Sequence, residues 1–179
     1  MRRLCALFNP SLKLSHHYHR RAAAAMSTGA VPPTIADVKY LLAGTLRGMM
    51  LGEHPSVAVV DVRDSDHLGG HIKGSLHFPS GTLESMMPTL IRKVEDKKAV
   101  VFHCALSQQR GPSAAVRYLR EMYRLGKWPK EGEAEAEAEE GQTVYVLDKG
   151  FVGWQEEYGE DERLTEGYRK EIWKDGYWM

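Results

Sequence analysis

Apolar residues recur along this chain in two periods, and the switches between them outline its elements. From Ile35 the positions Val38, Leu41, Leu42, Thr45, Leu46, Met49 and Met50 follow a three-and-four spacing, which predicts one core-facing helix. Thr34 and Asp37 stand at N-cap and N3 separation before it. The β-branched run from Ser56 to Arg63 then predicts a strand buried on both faces. Helical spacing returns at Leu83, Met86, Met87, Leu90, Ile91 and Val94, with Pro88 inside it, so two short helical pieces or a kink are expected. A charged turn at Lys97-Lys98 leads into a second apolar strand ending at Phe102. After Arg110, the residues Ala115, Val116, Leu119, Met122 and Tyr123 predict a helix to about Leu125. Thr143 to Leu147 reads as the last strand. Strands thus alternate with amphipathic helices along the chain.

Composition narrows the function classes. At 179 residues the chain is long enough for one domain with a real core. The formal net charge of zero hides an asymmetry. Arg2, Arg3, Lys13, Arg20 and Arg21 stand without an acid in residues 1–26, leaving 19 basic against 24 acidic residues in the remainder. A mildly acidic body lacks the basic footprint of a nucleic-acid binder. No apolar run approaches the roughly 18 residues of a transmembrane helix. The two cysteines, Cys5 and Cys104, are too far apart to suggest a disulfide framework, which fits a reducing compartment. No cluster of His, Cys and carboxylates has metal-ligand spacing, so no metal is expected.

The ends and one internal stretch stand apart. Residues 1–33 read as a basic leader outside the catalytic fold, either a transit peptide or an extension upstream of a start at Met26. The first alternative implies a mitochondrial or other organellar location, the second a cytoplasmic or nuclear one. Residues 130–142, rich in Glu, Ala and Gly, read as an acidic low-complexity insertion that solvates itself. The tail at 156–179 scatters Leu164, Tyr168, Ile172, Trp173, Tyr177 and Trp178 among charges. It reads as an amphipathic element packing back on the domain, able also to cover a catalytic mouth or form a dimer seam.

The candidate chemistry lies where the second strand ends. His103 and Cys104 close the apolar run, Ala105, Leu106, Ser107, Gln108 and Gln109 follow, and Arg110 opens the helix with Gly111 and Pro112. A loop entering a helix turns several backbone N–H groups inward, and the positive helix end adds to their field. That field favours the thiolate of a cysteine at the strand's end. Arg110 can offer parallel N–H donors to a tetrahedral oxyanion. Nucleophile, anion cradle and charge clamp thus fall within seven residues. Ser107 either donates a hydrogen bond that helps the thiolate leave or satisfies the loop's own geometry.

His-Cys-x5-Arg-Gly-Pro resembles the active-site loop of the rhodanese-fold phosphatases, including the cell-division-cycle dual-specificity phosphatases. The wording His-Cys-Ala-Leu-Ser-Gln-x-Arg-Gly-Pro is closer to their small fungal and plant relatives, some of which are arsenate reductases. Asp61-x-Arg63 followed by Gly70-His71-Ile72-x-Gly74-Ser75 resembles the fold's second signature, and Gly150-Phe151-Val152-Gly153-Trp154 its closing turn and Trp-bearing helix. The resemblance spans about residues 34–155. It implies an α/β, rhodanese-like three-layer fold, with a central, mostly parallel five-stranded sheet flanked by helices. Asp61 reads foremost as an acceptor for neighbouring backbone N–H groups or Arg63, with general-acid catalysis the alternative. His71 reads as a structural hydrogen-bonding residue.

Four function classes follow. The first is a cysteine-dependent phosphatase, working through a phosphocysteine on a phosphorylated protein or a small phosphoester. The second is an arsenate reductase on the same loop. Val62 stands where the cell-cycle phosphatases carry a second cysteine, and Gln109 where they carry an acid. An oxidised Cys104 would therefore need an external thiol, and as a reductase the chain would use glutathione or glutaredoxin. As a phosphatase it would use no cofactor. A sulfurtransferase fits less well, because the sulfur-transferring relatives have a loop one residue shorter. A non-catalytic binding module would more naturally have lost Cys104 or Arg110.

Overall fold

The computed structural model describes residues 31–52, 56–127 and 142–176. Residues 1–30 of the leader, nearly all of the acidic stretch at 130–142, and Tyr177 and Trp178 of the tail lie outside the described residues.

Five strands form a parallel sheet: β1 (Lys39–Leu41), β2 (Val57–Asp61), β4 (Leu76–His77), β5 (Ala99–His103) and β6 (Thr143–Leu147), in the spatial order β1-β6-β5-β2-β4. A short antiparallel pair, β3 (His71–Ile72) with β7 (Thr165–Glu166), stands apart from it. The helices are α1 (Ala43–Leu51), α2 (Leu83–Val94), α3 (Arg110–Arg124), α4 (Gly150–Tyr158) and the single turn α5 (Lys170–Trp173).

Because side chains alternate along a strand, the central strands feed two cores. Val60, Val100, Phe102, Val144 and Val146 face one layer, where α2 and α3 contribute Leu83, Leu90, Ala115, Tyr118 and Leu119. Val59, Val101 and Leu147 face the other, which holds Leu46 of α1, Phe151 and Trp154 of α4, and Leu164 and Trp173 beyond it. Helices on both faces make the three layers that the resemblance implies.

Two sequence expectations need correction. The apolar stripe from Ile35 to Met50 is not one helix. A 3-10 turn at Ile35–Asp37 keeps the Thr34–Asp37 capping box, the chain then extends as β1, and α1 begins at Ala43. Lys39, Tyr40 and Leu41 pair with Tyr145, Val146 and Leu147, so ladder hydrogen bonds from β6 override the local helical period. The second concerns one of the two outcomes expected at Pro88: the helix is not divided into two pieces, and Pro88 lies inside a continuous α2. Leu83 and Met87 before it and Leu90, Ile91 and Val94 near or after it are all buried on the same face, so packing holds both halves to the sheet.

The tail returns across the second layer. Tyr168 Oη donates to Gln155 Oε1 at 2.7 Å, and Trp173 Nε1 donates to the Gly69 carbonyl at 2.8 Å. Trp154 is buried and donates to Thr165 Oγ1 at 3.0 Å, so the fold's closing helix fastens the start of this tail. Chain re-entry after the acidic stretch is pinned as well. Gln142 Nε2 donates to the Val94 and Lys97 carbonyls at 2.8 and 2.9 Å, and Tyr118 Oη donates to Gln142 Oε1.

Candidate active site

Strand β5 ends at His103, and α3 begins at Arg110, so the intervening loop sits at the carboxyl edge of the sheet's central strand. This is where α/β sheets bind ligands. Ser107 adopts a left-handed conformation, φ 53°, which curls the loop back on itself. Its amide donates to Cys104 Sγ at 3.2 Å. The amides of Leu106, Gln108 and Gln109 find no acceptor among the described residues, and the N-cap of α3 at Gln109 has no side-chain cap. Unsatisfied N–H groups on a loop that enters a helix N-terminus beside a cysteine supply the donors of an anion cradle. Ser107 Oγ is buried without a partner, lying on the Gly111 side of the loop near Cys104 N.

Arg110 reaches the cradle from the first turn of α3, and two carboxylates meet it there. Nη1 donates to Asp64 Oδ2 at 3.0 Å and to Asp66 Oδ1 at 2.7 Å, while Nη2 donates to Asp66 Oδ2 at 2.5 Å. Hydrogen bonds donated to Asp66, then to Asp64, outweigh partial burial and hold the guanidinium even more firmly protonated than usual. A groove opens beside it, between Ser80 and Leu83 on one side and Gln109, Ser113 and Arg117 on the other. Sequence reasoning missed Asp64 and Asp66. The signal available was the acidic pattern Asp64-x-Asp66 directly after a buried strand, which says nothing of a partner more than forty residues away.

Asp61 lies beneath this mouth rather than in it. Its Oδ1 accepts from Arg63 N at 3.0 Å, and both oxygens accept from the Arg63 guanidinium at 2.6 to 3.0 Å. Arg63 is fully buried, donates also to the Gly70 carbonyl at 2.9 Å, and lies 4.3 Å over the Phe151 ring. Burial raises the Asp61 carboxyl, but His103 and the bonds and charge of Arg63 more than offset it and hold the group below the usual carboxylate range. His103 is buried with Nε2 3.7 Å from Asp61 Oδ2, and burial keeps its imidazole neutral well below the ordinary histidine range. His71 Nε2 stands 3.1 Å from Glu166 Oε2, bracing β3 against β7. The structure thus gathers Cys104, the loop and Arg110 at one mouth, and puts Asp61, Arg63 and His103 in the layer behind.

The loop is also held from below. Phe151 N donates to the Cys104 carbonyl and Val152 N to the Ala105 carbonyl, both at 2.9 Å, so α4's first turn supports the loop's backbone. Gly150 has φ 56°, and a Cβ there would stand 2.5 Å from the Cys104 oxygen. Gly150→Ala is therefore expected to cost at least about 2 kcal/mol, from the left-handed backbone and the collision together. It should also reduce turnover, because the displaced atoms belong to the cradle. Thermal unfolding and kcat measured side by side test this; a variant matching the wild type in both would remove α4 from the account of the site.

Comparison with known proteins agrees with this geometry. The rhodanese-like domain model matches residues 43–157. The chain is 36% identical over 161 residues to the CDC25-like phosphatase YCH1 of Saccharomyces cerevisiae, covering 79% of this chain and 97% of that protein. It is 38% identical over 121 residues to arsenate reductase 2.1 of Oryza sativa, covering 66% of this chain and 68% of that one. Among solved structures, Saccharomyces cerevisiae Ygr203w, described as a homologue of single-domain rhodanese and the Cdc25 phosphatase catalytic domain, superposes with a TM-score of 0.63 at 36% identity, covering 80% of this chain and 97% of that one. The As-Sb reductase of Leishmania major superposes with a TM-score of 0.57 at 28% identity, covering 70% and 81%. With its parallel five-stranded sheet, its Cys104–Arg110 loop at the central strand's edge and these relatives, the chain belongs to the rhodanese-fold phosphatase family, related to CDC25-like phosphatases and arsenate reductases of fungi and plants.

Proposed function

We propose that the protein is a cysteine-dependent phosphatase, and the observation that carries the reading is the Cys104 sulfur accepting from the Ser107 amide, on a loop whose Leu106, Gln108 and Gln109 amides meet no acceptor among the described residues. The thiolate attacks phosphorus in line, the phosphorus–ester oxygen bond breaks, and a phosphocysteine forms. Water then attacks the phosphocysteine, releasing phosphate and restoring the thiolate. Loop amides and Arg110 hold the non-bridging oxygens through both steps, each well-aimed donor worth on the order of 3 kcal/mol in the transition state. Asp61 is a poor choice of general acid, because both its oxygens are engaged by Arg63 and it stays ionised. Substrates are phosphorylated proteins or small phosphoesters reaching Cys104 past the shallow groove beside Arg110.

Arsenate reduction is the second reading. The relatives named as arsenate reductases support it, as does the presence of Cys104 as the sole cysteine among the described residues. Arsenate would occupy the same cradle and lose an oxygen as water on attack by Cys104. The two electrons that take arsenic from the +5 to the +3 state would come from Cys104 and a glutathione or glutaredoxin thiol, which end joined as a mixed disulfide.

The full chain offered para-nitrophenyl phosphate, and separately arsenate with glutathione, tells the readings apart. Steady phosphate release is the expected result. Inertness toward the phosphoester with glutathione-dependent arsenite formation would replace the first reading by the second. The aromatic tail as a dimer seam is a weaker proposal: Tyr168 and Trp173 are already spent on Gln155 and Gly69 of their own chain.

A further inference from the structure

A guanidinium carries five N–H bonds in one plane. In Arg110 three of them have acceptors: Nη1 donates to Asp66 Oδ1 and Asp64 Oδ2, and Nη2 donates to Asp66 Oδ2. The bonds left over are the Nε–H and the second N–H of Nη2, which run parallel along one edge and meet no acceptor among the described residues. Two parallel donors are the pattern that fits two oxygens of a tetrahedral oxyanion. A free arginine can turn any of its edges to such a ligand. One gripped at both terminal nitrogens has a single edge to offer.

The grip is itself braced. Asp66 is buried, and the amide of Asp64 donates to its Oδ1 at 2.9 Å, closing the turn that carries both carboxylates. Asp64 is anchored in turn by Ser80 Oγ at 2.6 Å and Gly81 N at 3.1 Å, at the entry to α2. Two carboxylates beside one guanidinium also offset its charge. What Arg110 brings to the cradle is thus aim more than net positive potential.

We propose that Asp66, seconded by Asp64, is the positioning residue for Arg110, fixing the guanidinium by its terminal nitrogens so that only the Nε–Nη2 edge meets the substrate's oxygens. This rests on the oxyanion reading of the Cys104 loop. Asp66 is taken to act on the bound oxyanion through Arg110.

The test is a double-mutant cycle read by tungstate, a tetrahedral oxyanion that cannot turn over. Calorimetric binding is measured on the full-length Cys104→Ser protein, alone and with Asp66→Asn, Arg110→Ala or both. Asp66→Asn keeps the side chain's size and removes its charge. It is expected to weaken tungstate binding about tenfold, the scale of one misaligned charge-assisted hydrogen bond. Arg110→Ala should weaken binding further, and Asp66→Asn should add nothing once Arg110 is absent. An equal loss in both backgrounds would make Asp66 a merely structural residue. Tighter binding in Asp66→Asn would make it a competitor for the anion's place, and unchanged binding would leave it no part; each overturns the proposal. If Asp66→Asn does not fold, Asp66→Glu serves, since it keeps the charge, shifts the guanidinium by a methylene, and should weaken binding in the same Arg110-dependent way. A parent Cys104→Ser protein that binds no tungstate would instead overturn the oxyanion reading beneath it.

Discussion

Cys104→Ser is expected to abolish turnover while leaving the fold and oxyanion binding in place. Serine is close to cysteine in size, and the site is almost fully buried, so thermal stability should change little. The Ser107 amide donates to the sulfur position at 3.2 Å, on the loop that opens α3. A hydroxyl stays protonated there at neutral pH, and no described side chain is placed to take its proton. His103, the nearest imidazole in sequence, has its Nδ1 3.1 Å from the Cys104 carbonyl, and its ring stacks 6.3 Å from that of Phe151 behind the loop. Loss of a nucleophile typically costs on the order of a millionfold in kcat. Para-nitrophenyl phosphate hydrolysis beside a thermal melt is the check. Residual activity within about a hundredfold of wild type, with an intact melt, would rule out Cys104 as the attacking group.

Arg63→Met should strongly destabilise the second layer. It takes from buried Asp61 its guanidinium partner, leaving only the imidazoles of His67 and His103 beside it, and frees the Gly70 and Leu68 carbonyls that Arg63 now bonds. Breaking a buried pair on one side typically costs 3–5 kcal/mol, roughly 10 °C or more in Tm for a domain of this size. Asp61→Asn together with Arg63→Met should recover part of the loss, because the stranded charge goes with it. The pH dependence carries a sign that can be checked. In the wild type the Asp61 carboxyl titrates at about 2, below its value of ~3.9 in the unfolded chain. Its contribution is therefore complete above about pH 4 and fades as pH falls through 2. In Arg63→Met the same carboxyl titrates higher when folded than when unfolded, so the deficit should shrink on acidification. A melt-against-pH series for the two proteins that ran parallel would mean that the pair is electrostatically idle.

Much of this fold was legible along the chain, for reasons that also explain what was not. The strands β2, β5 and β6 sit in the middle of the sheet, so both faces are apolar and the β-branched runs announce them. β1 has three residues at a sheet edge inside a stretch whose spacing fits a helix, and nothing local reveals its partner β6. β3, β4 and β7 have two residues each, too few for a period to register. At the site, Cys104 and Arg110 could be read because the loop brings its own chemistry within one turn of chain. Asp64 and Asp66 could not, since their meaning depends on a helix that starts more than forty residues later. Their carboxylates gain a function only when the sheet sets β2 beside β5.

The bonds from Phe151 and Val152 to the Cys104 and Ala105 carbonyls have a consequence for how the protein becomes competent during synthesis. A nascent chain that has emerged as far as α3 already holds the sulfur, the arginine and both carboxylates. It lacks β6, which flanks β5, and the turn that fixes the shape of the cradle. Chemistry and support lie on opposite sides of the acidic stretch at 130–142. On the proposed reading, a chain ending within that stretch is expected to carry the thiol and the arginine without the β6 strand and the α4 turn that support their loop.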